Sequence, residues 1–237
     1  MKAMILAAGL GTRFKPWTDQ HPKALAPVNG KSLLERNLRY LQSFGIQDVL
    51  INVHHFSEQI LRALDENKSW GSFVTISDES DDVLETGGGL KKAAAWFNDG
   101  HFVVMNADIL TDMDLSAMIR FHSEKNPLAT LAVTGRKTSR NFLFDSDNRL
   151  CGWRNQQSGE EKLSLPKKDL VEKAFSGIHI LSPEIFPLMK FSGKFSIVDV
   201  YLDLAASHLI LGYDHSGSKL VDVGKPDSIQ IAESLFH

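Results

Sequence analysis

The segment Ala7-Ala8-Gly9-Leu10-Gly11-Thr12-Arg13-Phe14-Lys15-Pro16 follows a short apolar run, Ala3 to Leu6, and precedes an amphipathic stretch that begins at Ser32. An apolar run of that length bounded by glycine reads as a buried strand, and the strand, loop and helix together read as one unit of an open α/β sheet. Ligands bind in such sheets beyond the carboxyl ends of the strands, where this loop falls. Glycine at positions 9 and 11 permits positive φ and close backbone approach, and successive N–H groups in such a turn form an anion-binding concavity. From Ala7 to Pro27 the chain carries Arg13, Lys15 and Lys23 against Asp19 alone. Positive charge concentrated beside a glycine turn predicts a phosphate-bearing ligand.

Two common phosphate motifs fail on spacing. A dinucleotide fingerprint requires a third glycine three residues after Gly11, where Phe14 stands, and the second strand runs into His54 and His55 instead of an acid that could hold a ribose. Gly30-Lys31-Ser32 looks like the end of a P-loop, yet Leu25 occupies the position of the required first glycine. Neither a Rossmann dehydrogenase nor a P-loop NTPase fits.

A longer pattern does. Ala8-Gly9-x-Gly11-Thr12-Arg13-x-x-Pro16-x-Thr18-x-x-x-Pro22-Lys23-x-Leu25-x-Pro27-Val28-x-Gly30-Lys31 closely resembles the signature of the sugar-1-phosphate nucleotidylyltransferases. The resemblance implies a Rossmann-like, mostly parallel mixed sheet flanked by helices, with a smaller α+β lobe on the sugar side. It implies a single domain with a nucleotide-binding half, residues 1–134, and a sugar-binding half, residues 135–237.

Composition is compatible with that expectation. The 237 residues, 43% hydrophobic, are enough for an ordinary α/β core. A net charge of −3 argues against nucleic acid or a membrane surface as the main partner, since those demand a basic excess or patch. Cys151 alone makes no internal disulfide, and the apolar run before Gly9 is too short for a signal peptide or a membrane span. A cytoplasmic protein with a small-molecule partner is expected.

The rest of the chain alternates strand and helix. Leu34, Leu38 and Leu41 recur at helical spacing with Gly45 as C-cap, Asp48 to Val53 reads as a buried strand, Ser57 is expected to cap a second helix, and Phe73 to Ser77 reads as a third strand. His54 and His55 read as structural, because neighbours on a strand point to opposite faces. Asp78 to Asp82 reads as a solvated acidic loop. Leu84-Glu85-Thr86-Gly87-Gly88-Gly89 then opens a helix, and three glycines there call for a functional reason such as close approach to a planar ring. The resemblance implies that this segment lies beside the nucleotide base.

His101 to Met105 reads as a fourth strand running into Asn106-Ala107-Asp108, which puts Asp108 at a strand's carboxyl end as a candidate Mg2+ ligand. The family usually has glycine where Ala107 stands. A helix capped at Asp114, a strand from Leu128 to Val133, and a hairpin of Asn141–Phe144 with Arg149–Trp153 follow; Gln156 to Lys168 reads as a polar excursion. Ala174 to Ile180 resembles the family's Gly-Ile strand beside the sugar. The Glu-Lys-Pro element of many relatives is missing, so Asn155, Gly177 and Asp199 are the candidate sugar contacts and Glu172-Lys173 reads as a structural pair. Lys219 to Pro226 resembles the family's Asp-x-Gly-x-Pro element and makes Asp222 the second candidate metal ligand.

Together the resemblance and the residues predict an NTP on Ala8, Gly9, Gly11, Thr12, Glu85, Thr86, Gly87, Gly88 and Asn106. Arg13 suits the pyrophosphate, Lys23 the α-phosphate or sugar phosphate, and Asp108 with Asp222 the Mg2+. The expected reaction is Mg2+-dependent nucleotidyl transfer to a sugar 1-phosphate, with UTP favoured. Guanylyl transfer to mannose 1-phosphate, cytidylyl transfer to choline phosphate, and a non-catalytic nucleotide-sugar-binding regulator stand as alternatives.

Overall fold

A computed structural model describes residues 1–237. Strand β1 (Ala3–Leu6) leads through three short 3-10 turns, at Thr12–Phe14, Trp17–Asp19 and Lys23–Leu25, to a tight hairpin of β2 (Pro27–Val28) and β3 (Lys31–Ser32). The alternation continues with α1 (Leu33–Ser43), β4 (Asp48–Val53), α2 (Ser57–Glu66), β5 (Phe73–Asp78), α3 (Glu85–Lys92) and β6 (Phe102–Asn106). Short β7 (Ile109–Thr111), α4 (Leu115–Lys125) and β8 (Ala129–Thr134) come next. Strands then dominate: β9 (Arg140–Phe144), β10 (Leu150–Asn155), β11 (Glu161–Leu163) and β12 (Val171–Leu181) precede α5 (Ile185–Leu188), α6 (Ile197–Ala205), β13 (Ile210–Asp214), β14 (Leu220–Asp222) and α7 (Ser228–Leu235).

Local chemistry explains the boundaries. Asn29 and Gly30 both have positive φ, as a two-residue hairpin turn requires, so Gly30-Lys31-Ser32 is a hairpin edge. The Ser32 hydroxyl accepts the Glu35 amide at 3.0 Å and caps α1, whose Leu33, Leu34, Leu38 and Leu41 are fully buried. Asp114 caps α4 through the Ala117 amide. Ser57 does not cap α2. Phe56, with φ of 54°, is the capping residue there and makes no side-chain cap bond, so the chain enters that helix by a left-handed backbone step. Part of the polar excursion is also ordered, because β11 pairs with β10 from Glu161 to Leu163.

Ten strands form one sheet. β6, β1, β4 and β5 are mutually parallel neighbours, β12 runs antiparallel to β6, β8 and β9, and β10 and β11 extend the antiparallel end; β13 joins β8 in parallel. The fold is therefore α/β, a mixed sheet with a parallel core. Alternate residues feed opposite faces. Met4, Leu50 and Val104 pack with residues of α3, α5 and α6, while Ile5, Ile51 and Met105 pack with α1, α2 and α4. A third apolar cluster joins Phe14, Val28, Leu33, Leu110, Val221 and Val223, clamping β14 beneath the glycine loop. No helix is long and apolar enough to cross a membrane.

Candidate active site

The register of the parallel strands builds the site. Leu6 stands opposite Asn52 on one side and Asn106 on the other, so the carboxyl ends of β4, β1 and β6 make one row along one edge of the sheet. Above that row lies a cavity of about 530 Å3, a size suited to a nucleotide-sized ligand. Ala8, Gly9, Gly11, Thr12, Arg13, Lys23, Glu85, Thr86, Asn106 and Asp108 all line it.

The glycine loop owes its shape to Gly11. Its φ is +59°, and a Cβ would stand 2.8 Å from the Thr18 methyl and 3.2 Å from Lys23 Cβ. The Gly11 carbonyl accepts the Phe14 amide at 2.8 Å and the Thr18 hydroxyl at 2.9 Å, so Thr18 holds the loop from behind. Gly9 differs from expectation. It lacks positive φ, and nothing lies within 4 Å of where its Cβ would be, so its contribution is open space above the backbone.

Asp108 and Asp222 converge although they belong to opposite halves of the chain. β7 and β14 pair with Ile109 opposite Asp222, and the Asp108 carbonyl accepts the Val223 amide at 2.8 Å. Thr111 and Asp112 secure the same ladder by bonds to the Lys219 carbonyl and amide, each at 2.7 Å. Lys23 Nζ reaches Asp108 Oδ2 at 2.5 Å, an ion pair with little solvent exposure. Desolvation foremost, and then the charge of Asp108, push the Asp222 carboxyl above the usual range, while Lys23, Arg136 and Arg13 pull it down. Two acids facing each other across surrounding cations form a setting that a divalent ion would relieve. Asp222 does not line the cavity itself. Its Oδ1 would be 2.8 Å from a Cβ on Gly224, a cavity residue that also passes close to Arg13 Nη2.

Other expected contacts are not brought to the cavity. Gly87 and Gly88 lie inside α3, packed away from it: a Cβ on Gly87 would stand 2.5 Å from the Phe195 ring, and one on Gly88 would stand 2.3 Å from the Gly193 carbonyl. These glycines answer to the loop before α6. Thr86 does line the cavity, and its hydroxyl accepts the Ile197 amide at 3.0 Å. Gly177, with φ of +72°, sits behind Asn106, whose amide nitrogen would be 2.8 Å from its Cβ. Asn155 spends its side-chain oxygen on the Gln157 and Ser158 amides of its own turn, and Asp199 lies 3.6 Å from Lys162 on the outer surface. Glu172 accepts from Arg154 at 2.6 Å and from Asn141 at 3.3 Å, and Lys173 pairs with Asp214, which fits the structural reading of that pair. His54 and His55 bond to the Glu79 and Thr18 carbonyls, and so stay occupied within the fold.

Several cavity residues escaped the sequence reading. Asn52 interrupts the apolar run of β4, residues 49–53, one residue before its end, and that polar residue, in register with Leu6, was a usable signal. Lys194 and Ser196 come from the second half of the chain, and no local pattern announces them, whereas Gly224 is the glycine of the Asp-x-Gly-x-Pro element that contains Asp222. Lys194 Nζ lies 3.7 Å from Glu85 Oε1 across the cavity, and Glu85 itself has φ of 60°.

Comparison with known proteins shows the family. The family described as Nucleotidyl transferase matches residues 2–235. The chain is 33% identical over 242 residues to N-acetylmuramate alpha-1-phosphate uridylyltransferase of Caulobacter vibrioides, covering 98% of this chain and 95% of that one. It is 32% identical over 253 residues to UTP--glucose-1-phosphate uridylyltransferase of a Synechocystis species, and there it spans only 63% of the relative's length. The fold is shared with HddC from Yersinia pseudotuberculosis, crystallised with GMP-PN, at 23% identity and a TM-score of 0.79 over 100% of this chain and 99% of that one. Matched over nearly its whole length, the chain belongs to the nucleotidyl transferase family, among the sugar-1-phosphate nucleotidylyltransferases.

Proposed function

We propose that the protein transfers a uridylyl group from UTP to a sugar 1-phosphate in the presence of Mg2+, releasing pyrophosphate. N-acetylmuramate 1-phosphate is the first acceptor to test, because the uridylyltransferase of Caulobacter that acts on it matches over nearly both chains. One observation carries the reading: Arg13, Lys23 and Asp108 line the same cavity as the glycine loop, with Asp222 fastened beside Asp108 by the β7–β14 ladder.

The nucleotide half, residues 1–134, offers the glycine loop to the phosphates and Thr86 with Glu85 to the base side. The sugar half, residues 135–237, closes the cavity with Lys194, Ser196 and Gly224. A phosphate oxygen of the sugar 1-phosphate attacks the α-phosphorus; that O–P bond forms as the bond to the pyrophosphate oxygen breaks, in line and with no enzyme-bound intermediate. The attacking phosphate is already ionised at neutral pH, so no general base is needed. Arg13, with its planar fork, suits the departing pyrophosphate, and Lys23 neutralises charge at the α-phosphate or the incoming phosphate.

Two unit charges about 3.5 Å apart at an effective dielectric near 20 repel by roughly 5 kcal/mol, so cationic compensation decides whether the reactants can meet. Asp108 and Asp222 fit Mg2+, which typically binds through one or two carboxylates plus substrate phosphates and retains water. When bound, the ion would supply charge neutralisation and orientation at the α-phosphorus. Lys23 is itself paired with Asp108, which holds its ammonium group at the cavity.

Pyrophosphate release from UTP, GTP, CTP and dTTP, each with N-acetylmuramate, glucose and mannose 1-phosphates and with choline phosphate, tests the proposal. Mg2+-dependent release fastest with UTP and a sugar 1-phosphate is expected. Release fastest with GTP and mannose 1-phosphate, or with CTP and choline phosphate, would reassign the substrates; tight nucleotide-sugar binding with no release from any pair would make the protein a regulator.

A further inference from the structure

The acidic stretch Asp78 to Asp82 is not simply a solvated loop. Glu79, within it, is 1% exposed, and no Lys, Arg or His pairs with its carboxylate within ion-pair distance. Oε1 accepts the Asn52 side-chain N–H at 2.7 Å, and Oε2 accepts the Leu84 amide at 3.2 Å. The Asn52 side-chain oxygen in turn accepts the Ala7 amide at 2.7 Å. Leu84 immediately precedes Glu85 and Thr86, and Ala7 immediately precedes Ala8 and Gly9; all four of those neighbours, and Asn52, line the cavity.

Burying a carboxyl group is costly unless its oxygens are hydrogen-bonded, and here both oxygens receive hydrogen bonds. Backbone bonds fix its position as well: the Glu79 amide donates to Val53 and its carbonyl accepts from His54 and Asp82. The hub also explains the last glycine of the triplet. A Cβ on Gly89 would stand 2.5 Å from Glu79 Oε1 and 2.9 Å from Asn52 Nδ2.

We propose that Glu79 is a positioning residue of the nucleotide pocket: through Asn52 it sets the start of the glycine loop, through the Leu84 amide it sets the Glu85–Thr86 wall, and so it fixes the two walls relative to each other. The inference rests on the reading of this cavity as the nucleotide site. It assigns no substrate contact to Glu79 itself.

The bond polarity supplies the test. In Glu79→Gln, one end of the new amide can still accept from Asn52 or from Leu84, but its N–H2 end then confronts the other donor. In Asn52→Asp, a carboxylate oxygen confronts Glu79 Oε1. The double variant reverses the polarity and satisfies every group. The new carboxylate at position 52 accepts both the Ala7 amide and the N–H of the new side-chain amide at position 79, and the oxygen of that amide accepts from Leu84. Calorimetric Kd is measured with Mg2+ for UTP, GTP, CTP and dTTP, together with KM for the sugar phosphate, thermal midpoint, and amide exchange at Ala7 and Leu84 by NMR.

Each single variant should weaken binding of the preferred nucleotide at least tenfold, leave the sugar-phosphate KM within twofold, and speed exchange at Leu84 for Glu79→Gln or at Ala7 for Asn52→Asp. The double variant should recover most of the lost affinity and protection. A double variant no better than the worse single, or singles that lower the thermal midpoint while leaving nucleotide Kd unchanged, would overturn the proposal. If the wild-type chain binds none of the four nucleotides, the functional reading fails, and the exchange pattern of the three variants still decides whether Glu79 organises the two walls.

Discussion

Asp108 and Lys23, 2.5 Å apart in the cavity, carry the proposed chemistry at the scale of single residues. Removing the carboxylate by Asp108→Asn keeps the shape and removes the charge. We expect turnover to fall about 1,000-fold, a loss of several kcal/mol of charge stabilisation, with the thermal midpoint within a few degrees of wild type. Steady-state pyrophosphate release and a melting curve measure the two effects, and a variant that keeps full activity would remove Asp108 from the mechanism. Glu85 invites a second substitution. A non-glycine residue at φ of 60° is strained by roughly 1–2 kcal/mol, so Glu85→Gly should stabilise the fold by about 1 kcal/mol while losing the Lys194 pairing across the cavity. Urea unfolding and nucleotide binding should therefore move in opposite directions. At this scale the sequence was most legible at the glycine loop and its charged neighbours: Gly9, Arg13, Lys23 and Asp108 all reach the cavity. Gly87, Gly88 and Asn155 instead make contacts within the fold that residue type alone does not reveal.

Among the elements, α3 and the loop before α6 act as one piece. The Gly87 amide donates to the Phe195 carbonyl at 2.9 Å, the Thr86 hydroxyl accepts from Ile197, and the Phe195 ring lies where a Gly87 side chain would be. Gly87→Ala should therefore cost about 1–3 kcal/mol of stability through overpacking, and its effect on nucleotide affinity should be indirect. Denaturant melts compared with nucleotide Kd check this: a Kd raised tenfold with stability unchanged would return Gly87 to the ligand. The parallel elements were readable because each is a short apolar run followed by a helical period, from Ala3–Leu6 through Phe102–Asn106. The β7–β14 ladder was not, since two three-residue strands carry no periodicity and meet only through a pairing across the sequence. The placement of Asp222 beside Asp108 depends on that pairing, and the family resemblance, not periodicity, points to Asp222.

Over the whole molecule, buried histidines set the response to acid. Desolvation, with repulsion from His101, lowers His122 to about 4, and desolvation lowers His179 to about 3; burial also lowers His215 against the pull of Asp214 and Asp112. Unfolded, each would take up a proton near pH 6.5. Their folded forms are neutral, so the stability they support is complete above about pH 6.5 and drains away as pH falls toward 4. For His122 alone, a displacement from 6.5 to about 4 at roughly 1.4 kcal/mol per pH unit amounts to about 3 kcal/mol. Thermal midpoints should fall steeply between pH 6.5 and 4, and His122→Gln should flatten that slope; a flat wild-type profile across this window would contradict the burial. Fold class and the glycine edge of the sheet were legible at this scale, because hydrophobic patterning and loop chemistry are local. The closure of the cavity by Lys194 and Ser196 was not, because it is set by how distant segments dock.

The proposed sharing of one cation by Asp108 and Asp222 is tested most directly by titrating Mg2+ against pyrophosphate release, at saturating substrates, for the wild type and for Asp222→Asn. The carboxylate pair predicts that the variant needs at least about ten times more Mg2+ for half-maximal rate, with nucleotide affinity largely kept. An unchanged Mg2+ requirement in Asp222→Asn would contradict it.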